Sequence, residues 1–388
     1  MSTLSSPFSL GRNEPRGTTN WANLDYYMIV CMIVLIGFGL VSIWSAGGGG
    51  SITMTHPVFR QIVYTIVGIP ILVGMTLLDY RYVKTFSWVF YAASLGLLAS
   101  LMVAGTTIGG STRWLLFGPI TIQPSEIAKL AVIISLAVFI ADRRHEMDRF
   151  VNYVLSAVIV AIPAALVYLQ PDLGTTGVFA FIWLMMMLIA RTRLLYIIGT
   201  ILLAIPAALI SWMFLMQDYM RDRLMISFNP ELDRLGAGYN IIQAQISIGS
   251  GGLLGHGLTG GTQSQMDLLR VRTTDFIFAH AMGMFGFIGA IALFVVIGLL
   301  LWRIMRVAHE TQDPFAQLLA AGITAMIFFQ AFVNIGMNVG IMPVTGIPLP
   351  FVSLGGSSLW TTLAAIGLLQ SVRIHHQRLA FQRDWSGR

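Results

Sequence analysis

Ten stretches of apolar residues, separated by shorter polar interruptions, dominate the chain: near 27–46, 58–78, 85–104, 125–141, 151–169, 174–190, 194–215, 276–302, 315–340 and 355–372. Each approaches the roughly 20 residues that cross a bilayer as a helix. Backbone groups in lipid must bond internally, and apolar runs of this length do so as helices. The pattern predicts an all-α integral membrane protein with about ten transmembrane helices in a single polytopic domain, 1–388. Most connections are short, so consecutive helices should lie antiparallel. The exception is 217–275, between the seventh and eighth runs, and loops that long are uncommon in compact proteins. Ile241, Ile242, Ile246 and Ile248 predict a short amphipathic helix over about 239–248, followed by glycine-rich turns from Gly249 to Gly261. Gly47 to Gly50 reads as a flexible connector. Ala-Ile-Pro-Ala-Ala-Leu recurs at 161–166 and 204–209 and predicts kinks at Pro163 and Pro206.

Composition agrees: 56% of residues are hydrophobic and only 10% charged, against about 25% charged in soluble domains. The first 25 residues are polar, and the run from Tyr26 to Ala46 is too long for a signal-peptide core, so it predicts an uncleaved anchor. Cys31 lies inside that run as a core filler. The net charge of +6 is explained by orientation. Fifteen of the 23 basic residues fall in alternate loops and tails, which the positive-inside rule places in the cytoplasm. Both termini are then inside, with 1–26 and 373–388 as cytoplasmic tails and 217–275 as a large extracytoplasmic loop. The surplus is not a nucleic-acid footprint. The His residues are scattered without Cys, His or Glu partners at ligand spacing, so no metal set is predicted. No strands are expected to carry a nucleotide fingerprint.

Four polar clusters fall on the outer side by this argument. In the first, Arg113 precedes Gln123-Pro124-Ser125-Glu126, and Glu126 and Lys129 share one helix face. They form either an internal salt bridge or a cationic floor for an anionic headgroup. In Gln170-Pro171-Asp172-Leu173-Gly174, Asp172 is either a helix cap or a support for the active loop. The third cluster holds Gln263, Ser264, Gln265, Arg270, Arg272 and Asp275. Glycine-rich turns and guanidinium groups suit phosphate oxygens. Asp275 begins a membrane-length helix, where an acid is costly to keep unless it caps the helix or does chemistry. The fourth runs from Pro343 to Ser358 and contains Ser353 and Ser357; its prolines and glycines break the helix, and such backbone must line protein or a cavity.

These motifs, in this order, make the chain similar to the SEDS family (shape, elongation, division and sporulation), most of all to its RodA-like branch and less to FtsW. The pieces that carry the likeness are Gly118 to Lys129, Gln170 to Gly174, Gln263-Ser264-Gln265-Met266-Asp267, Thr274 to Phe278, and Gly346 to Ser353 running into Gly355 to Ser358. The resemblance implies a peptidoglycan glycosyltransferase that polymerises lipid II during cell elongation, forming β-1,4 bonds and releasing polyprenyl diphosphate. It also implies a bacterial cytoplasmic membrane location and a class B penicillin-binding protein as crosslinking partner, beside other elongation-complex membrane proteins. Asp275 matches the family's catalytic acid and would act as general base. Arg113, Glu126, Lys129 and Asp172 match its charged cavity, with a divalent cation, Mg or Mn, left open as a helper. Leu354 stands where the family usually has Tyr, Arg270 and Arg272 replace a less basic stretch, and Gly283 and Met284 stand where a Glu pair is common. His280 is a candidate to replace that pair in part. A lipid II flippase and a non-catalytic scaffold are the rival readings.

Overall fold

The computed structural model describes residues 23–386, apart from 109, 110, 118, 119, 259, 260, 262–265, 267 and 270. Helices occupy all ten predicted positions: α1 (Tyr26–Ala46), α2 (Pro57–Leu77), α4 (Ser87–Ala104), α5 (Pro124–Asp142), α6 (Phe150–Leu169), α7 (Leu173–Ile189), α8 (Leu194–Ile210), α11 (Ile277–Glu310), α12 (Pro314–Val339) and α13 (Gly356–Ser386). A short α3 (Tyr80–Thr85) precedes α4. Among the described residues seven helices are long and apolar enough to span a bilayer, α8 with its π-helical extension to Leu215 among them; α4 and α7 are slightly shorter apolar helices.

Burial sorts the helices. Nearly every residue from Pro124 to Ile140 of α5 is buried, so α5 is the central post of the bundle. In α8 only Ile197 is buried, as expected of an all-round apolar helix on the lipid side. Helices α6 and α8 run continuously through Pro163 and Pro206. A departure from helical geometry lies at Gly286 of α11, with φ 61° and ψ −159°. Helix α13 continues to Ser386, where the sequence suggests a tail from 373 onward.

Two further expectations need correction. Three short antiparallel strands join α4 to α5: β1 (Thr106–Ile108), β2 (Ser111–Phe117) and β3 (Ile120–Ile122), in the order β1-β2-β3. Thr and Ile recur through 106–122, and such β-branched residues favour extended backbone once a segment leaves the bundle. The segment 217–275 also holds an unpredicted helix, α9 (Asp218–Phe228), before α10 (Ala237–Ser250), which covers the predicted 239–248.

The glycine-rich turns after α10 have a structural task. At Gly286 the α11 backbone turns out of its own ladder, and Gly251 to Gly257 enters the gap. His256 N and Gly257 N donate to the carbonyls of Gly283 and Met284 at 2.9 and 3.0 Å, and Phe287 N and Ile288 N donate to Gly252 O and Leu253 O at 2.9 and 3.1 Å. Four donors and acceptors that a broken membrane helix would leave empty are thereby satisfied. A methyl group on Gly286 would stand 2.4 Å from Gly255 N, so the splice tolerates only glycine there.

Candidate functional site

The starts of α5, α7, α11 and α13 all lie at one end of the bundle, and the predicted polar clusters meet there. Helix N-termini carry partial positive charge, so four of them at one end favour an anion. The loop from Gly340 to Gly355 folds over this end. Asn334 and Asn338 on α12 fix its relation to Asp275: their side-chain amides donate to Asp275 O at 3.2 and 3.0 Å, and Asn334 also donates to Ile347 O at 2.8 Å. Ala279 N donates to Asn338 Oδ1 at 3.0 Å, completing the clamp. The backbone of Asp275 is therefore held from α12 while its side chain is left for other partners.

The carboxyl itself is half-buried beside Gly346, where an added methyl group would stand 3.6 Å from Asp275 Oδ2. Asp275 does not cap α11; the cap position is Phe276 and carries no side-chain cap bond, so the simple capping alternative falls. Burial pushes the Asp275 carboxyl above the usual carboxylate range. Arg223, then Arg113, then a hydrogen bond from Thr274 draw it back down, and Asp172 adds to the rise.

Asp172 caps α7: its Oδ1 accepts from Thr175 N at 3.0 Å and its Oδ2 from Thr175 Oγ1 at 2.9 Å. It does more than cap, because Arg113 Nη1 lies 3.6 Å from Asp172 Oδ2. Arg113 also donates to the carbonyls of Gln170, at 3.5 Å, and Pro171. The guanidinium is thus fixed in place by the turn that carries the acid. A cavity of about 140 Å3 opens between Arg113, Gly174, Arg223, Val344 and Thr345. That is below the roughly 300–1,000 Å3 of small-molecule sites.

Arg223 is the member that the sequence reading missed. It sits on α9, whose Ser227 Oγ accepts from Val344 N at 3.0 Å and so ties this helix to the cavity loop. A signal was present: Arg221, Arg223 and Arg234 are cations in the one long segment that the positive-inside rule would leave poor in them.

The other predicted residues separate. Glu126 and Lys129 form an ion pair of 2.7 Å and are almost wholly buried, at 2% and 1% exposure, so they are an internal charge pair beneath the site and not an open cationic floor. Ser353 Oγ donates to Thr274 O at 2.7 Å and accepts from Leu349 N at 2.9 Å. Ser357 Oγ accepts from Gln123 N at 2.9 Å and donates to Thr121 O at 3.3 Å. Both hydroxyls hold loops of the site, each with one donated and one accepted bond. Arg272 Nε donates to Ala46 O at 2.5 Å, at the end of α1 and away from the cavity lining. His280 is fully buried inside α11 and does not reach the cavity lining. Gln263, Ser264, Gln265 and Arg270 lie outside the described residues. Among the described residues no three His, Cys, Asp or Glu side chains converge as metal ligands.

The comparisons agree with this arrangement. The family model of FtsW, RodA and SpoVE cell cycle proteins matches residues 25–378. The peptidoglycan glycosyltransferase MrdB of Escherichia coli (strain K12) is 37% identical over 370 residues, covering 95% of this chain and 99% of that protein. Among solved structures, a chain from work on the structural coordination of polymerization and crosslinking by a peptidoglycan synthase complex matches with TM-score 0.79 and 30% identity, covering 91% of this chain and 98% of its own. The rod shape determining protein RodA of Thermus thermophilus matches with TM-score 0.70 and 28% identity, over 92% of this chain and 99% of that one. With a family model across nearly its whole length and relatives of matching extent, the chain belongs to the FtsW, RodA and SpoVE family, the SEDS proteins.

Proposed function

We propose that this chain is a peptidoglycan glycosyltransferase that polymerises lipid II, with Asp275 as its general base. The observation that carries the reading is a half-buried carboxyl, beside Gly346 of the loop that also supplies Val344 and Thr345 to the cavity, within the electrostatic reach of the two guanidiniums that line it. One lipid-linked disaccharide would accept through a sugar hydroxyl, and a lipid-linked glycan would donate through its anomeric carbon. Asp275 takes the hydroxyl proton as the new glycosidic oxygen–carbon bond forms and the bond to the diphosphate breaks. Base assistance of this kind contributes about 10²–10⁴-fold. The departing polyprenyl diphosphate gathers negative charge, which Arg113 and Arg223 are placed to receive. Attack from the face opposite the diphosphate inverts the anomeric carbon and gives the β-1,4 linkage. A divalent cation, where used, would arrive with the diphosphate.

The basic loops at the opposite end of the bundle support a cytoplasmic-membrane orientation with Asp275 outside. The relative solved within a synthase complex supports a crosslinking partner, a class B penicillin-binding protein. The likeness to a solved rod shape determining protein, RodA, supports a role in cell elongation.

Purified full-length protein supplied with labelled lipid II separates the readings by product. Glycan polymer from the wild type and none from Asp275→Ala supports the proposal. Equal polymer from both overturns the role of Asp275. Lipid II movement across vesicles with no polymer from either protein, even with the partner added, would point to transport.

A further inference from the structure

A second cavity lies at the end away from Asp275. It measures about 750 Å3 and lies where α5, α7, α11 and α12 end or begin. Its floor is apolar, formed by Ile140, Met147, Met305 and Leu318, and its rim carries Arg144, His145, Arg191 and His309. The ion pairs around it set two of these apart. Arg149 pairs with Glu146 at 3.3 Å, Arg193 with Asp148 at 3.3 Å, and Arg306 with Glu310 at 2.5 Å, while Arg143 stacks on the Phe139 ring at 4.3 Å. Among the described residues Arg144 and Arg191 make no ion pair, although both line the cavity. Asp148, the acid in the lining, is already neutralised by Arg193.

Arg191 also occupies a backbone conformation that disfavours it. Its φ is 56°, the left-handed position after a helix end where glycine is usual. An arginine kept there at a cost in backbone energy has a reason to be found in its side chain.

We infer that this cavity is a binding site for the headgroup of an anionic phospholipid in the leaflet at the arginine-rich end. The position at the helix ends is the headgroup layer of a bilayer, and basic pockets between transmembrane helices recognise anionic headgroups. The two guanidiniums offer paired donors to phosphodiester oxygens. The apolar floor accepts glycerol and the first methylenes, which a free phosphate does not have. A nucleotide fits poorly, because no Phe, Tyr or Trp lines the cavity to stack a base. The occupied site would brace the far ends of the helices that carry Asp275 and its clamp, since α11 and α12 both border it.

The test is native mass spectrometry of the full-length protein with dioleoyl phosphatidylglycerol and dioleoyl phosphatidylcholine, which share acyl chains and differ in headgroup charge. The wild type should prefer phosphatidylglycerol by roughly thirtyfold, about fivefold for each guanidinium. The Arg144→Gln/Arg191→Gln variant should lose that preference, while Arg143→Gln/Arg306→Gln, with the same loss of charge on partnered arginines, should keep it. Arg191→Gly relieves the backbone and removes only the side chain. It should retain or raise the melting temperature and lose about fivefold in preference. The inference is overturned by a wild type without preference, by equal losses in the two double variants, or by full displacement of the lipid by glycerol 3-phosphate, which would mark a soluble-anion site.

Discussion

At the scale of single residues, the role proposed for Asp275 rests on burial and cations that oppose one another at its carboxyl. Burial raises it above the usual carboxylate range, and Arg223 and Arg113 return part of its acidity. An acid raised in the folded state binds its proton more tightly there than in the unfolded chain. It therefore favours folding at low pH and opposes it as the pH climbs through the raised value. Asp275→Asn should then leave the melting temperature at neutral pH unchanged or higher while abolishing polymer formation. A large fall in melting temperature would mean that the charged form is stabilising. Arg223→Ala should lower the polymerisation rate by about 10²-fold, as loss of one donor to a developing anion typically does. It should also move the acidic limb of the rate profile to higher pH, because the strongest influence lowering the Asp275 carboxyl is gone. An unmoved limb would place Arg223 outside the field of Asp275. Asp275 itself was legible in the chain as an acid stranded at a membrane boundary. Arg223 was obscured because its only signal is being basic on the wrong side of the charge rule, and its reach to Asp275 depends on how α9 folds back.

At the scale of elements, the site is a set of splices between segments distant in sequence. The Gly251–Gly257 turn completes the ladder of α11 around Gly286, and the carbonyl of Asp275 is completed by Asn334 and Asn338. Gly286→Ala should cost about 1–3 kcal/mol, the usual price of a residue forced into backbone that only glycine adopts. The check is the melting temperature together with hydrogen exchange over 251–257, which should speed up locally; an unchanged exchange rate would mean the splice does not depend on that backbone. The ten helices were readable because each is a long apolar run with polar ends. The break in α11 was not, since its run is continuous in hydropathy and the bonds that replace its ladder come from a loop earlier in the chain. The strands β1 to β3 were missed for a related reason: hydropathy reports the membrane and says little about short polar connections. The charge pair Glu126–Lys129 was visible as two residues three apart, but its enclosure depends on the neighbours of α5.

At the scale of the whole molecule, the two ends of the bundle are built differently. The Asp275 end joins backbone and amide contacts to two ion pairs, Arg113–Asp172 and Glu126–Lys129, and the opposite end is gathered at one buried carboxylate. Asp25, 1% exposed at the start of α1, receives Arg303 of α11 at 3.1 and 3.2 Å and Arg373 of α13 at 3.3 Å. Gln370 bonds the backbone of Asp25 in both directions, at 2.9 and 3.0 Å. Three helices far apart in sequence are thus fastened at one buried carboxylate. Asp25→Ala should cost about 3–5 kcal/mol, because it strands a buried guanidinium. Glu310→Ala, which loses exposed pairs, should cost about 1 kcal/mol or less. Equal losses in chemical denaturation would contradict the place of the buried Asp25 as the fastening of this end. The central claim is that the Asp275 carboxylate accepts a proton as sugars are joined, and the pH dependence of the initial polymerisation rate tests it most directly. The account predicts that the wild-type rate rises with pH through a midpoint above the ordinary carboxylate range, while Asp275→Asn is slower by about 10²–10⁴-fold and flat across that range. An Asp275→Asn profile with the same rise and a comparable rate would contradict it.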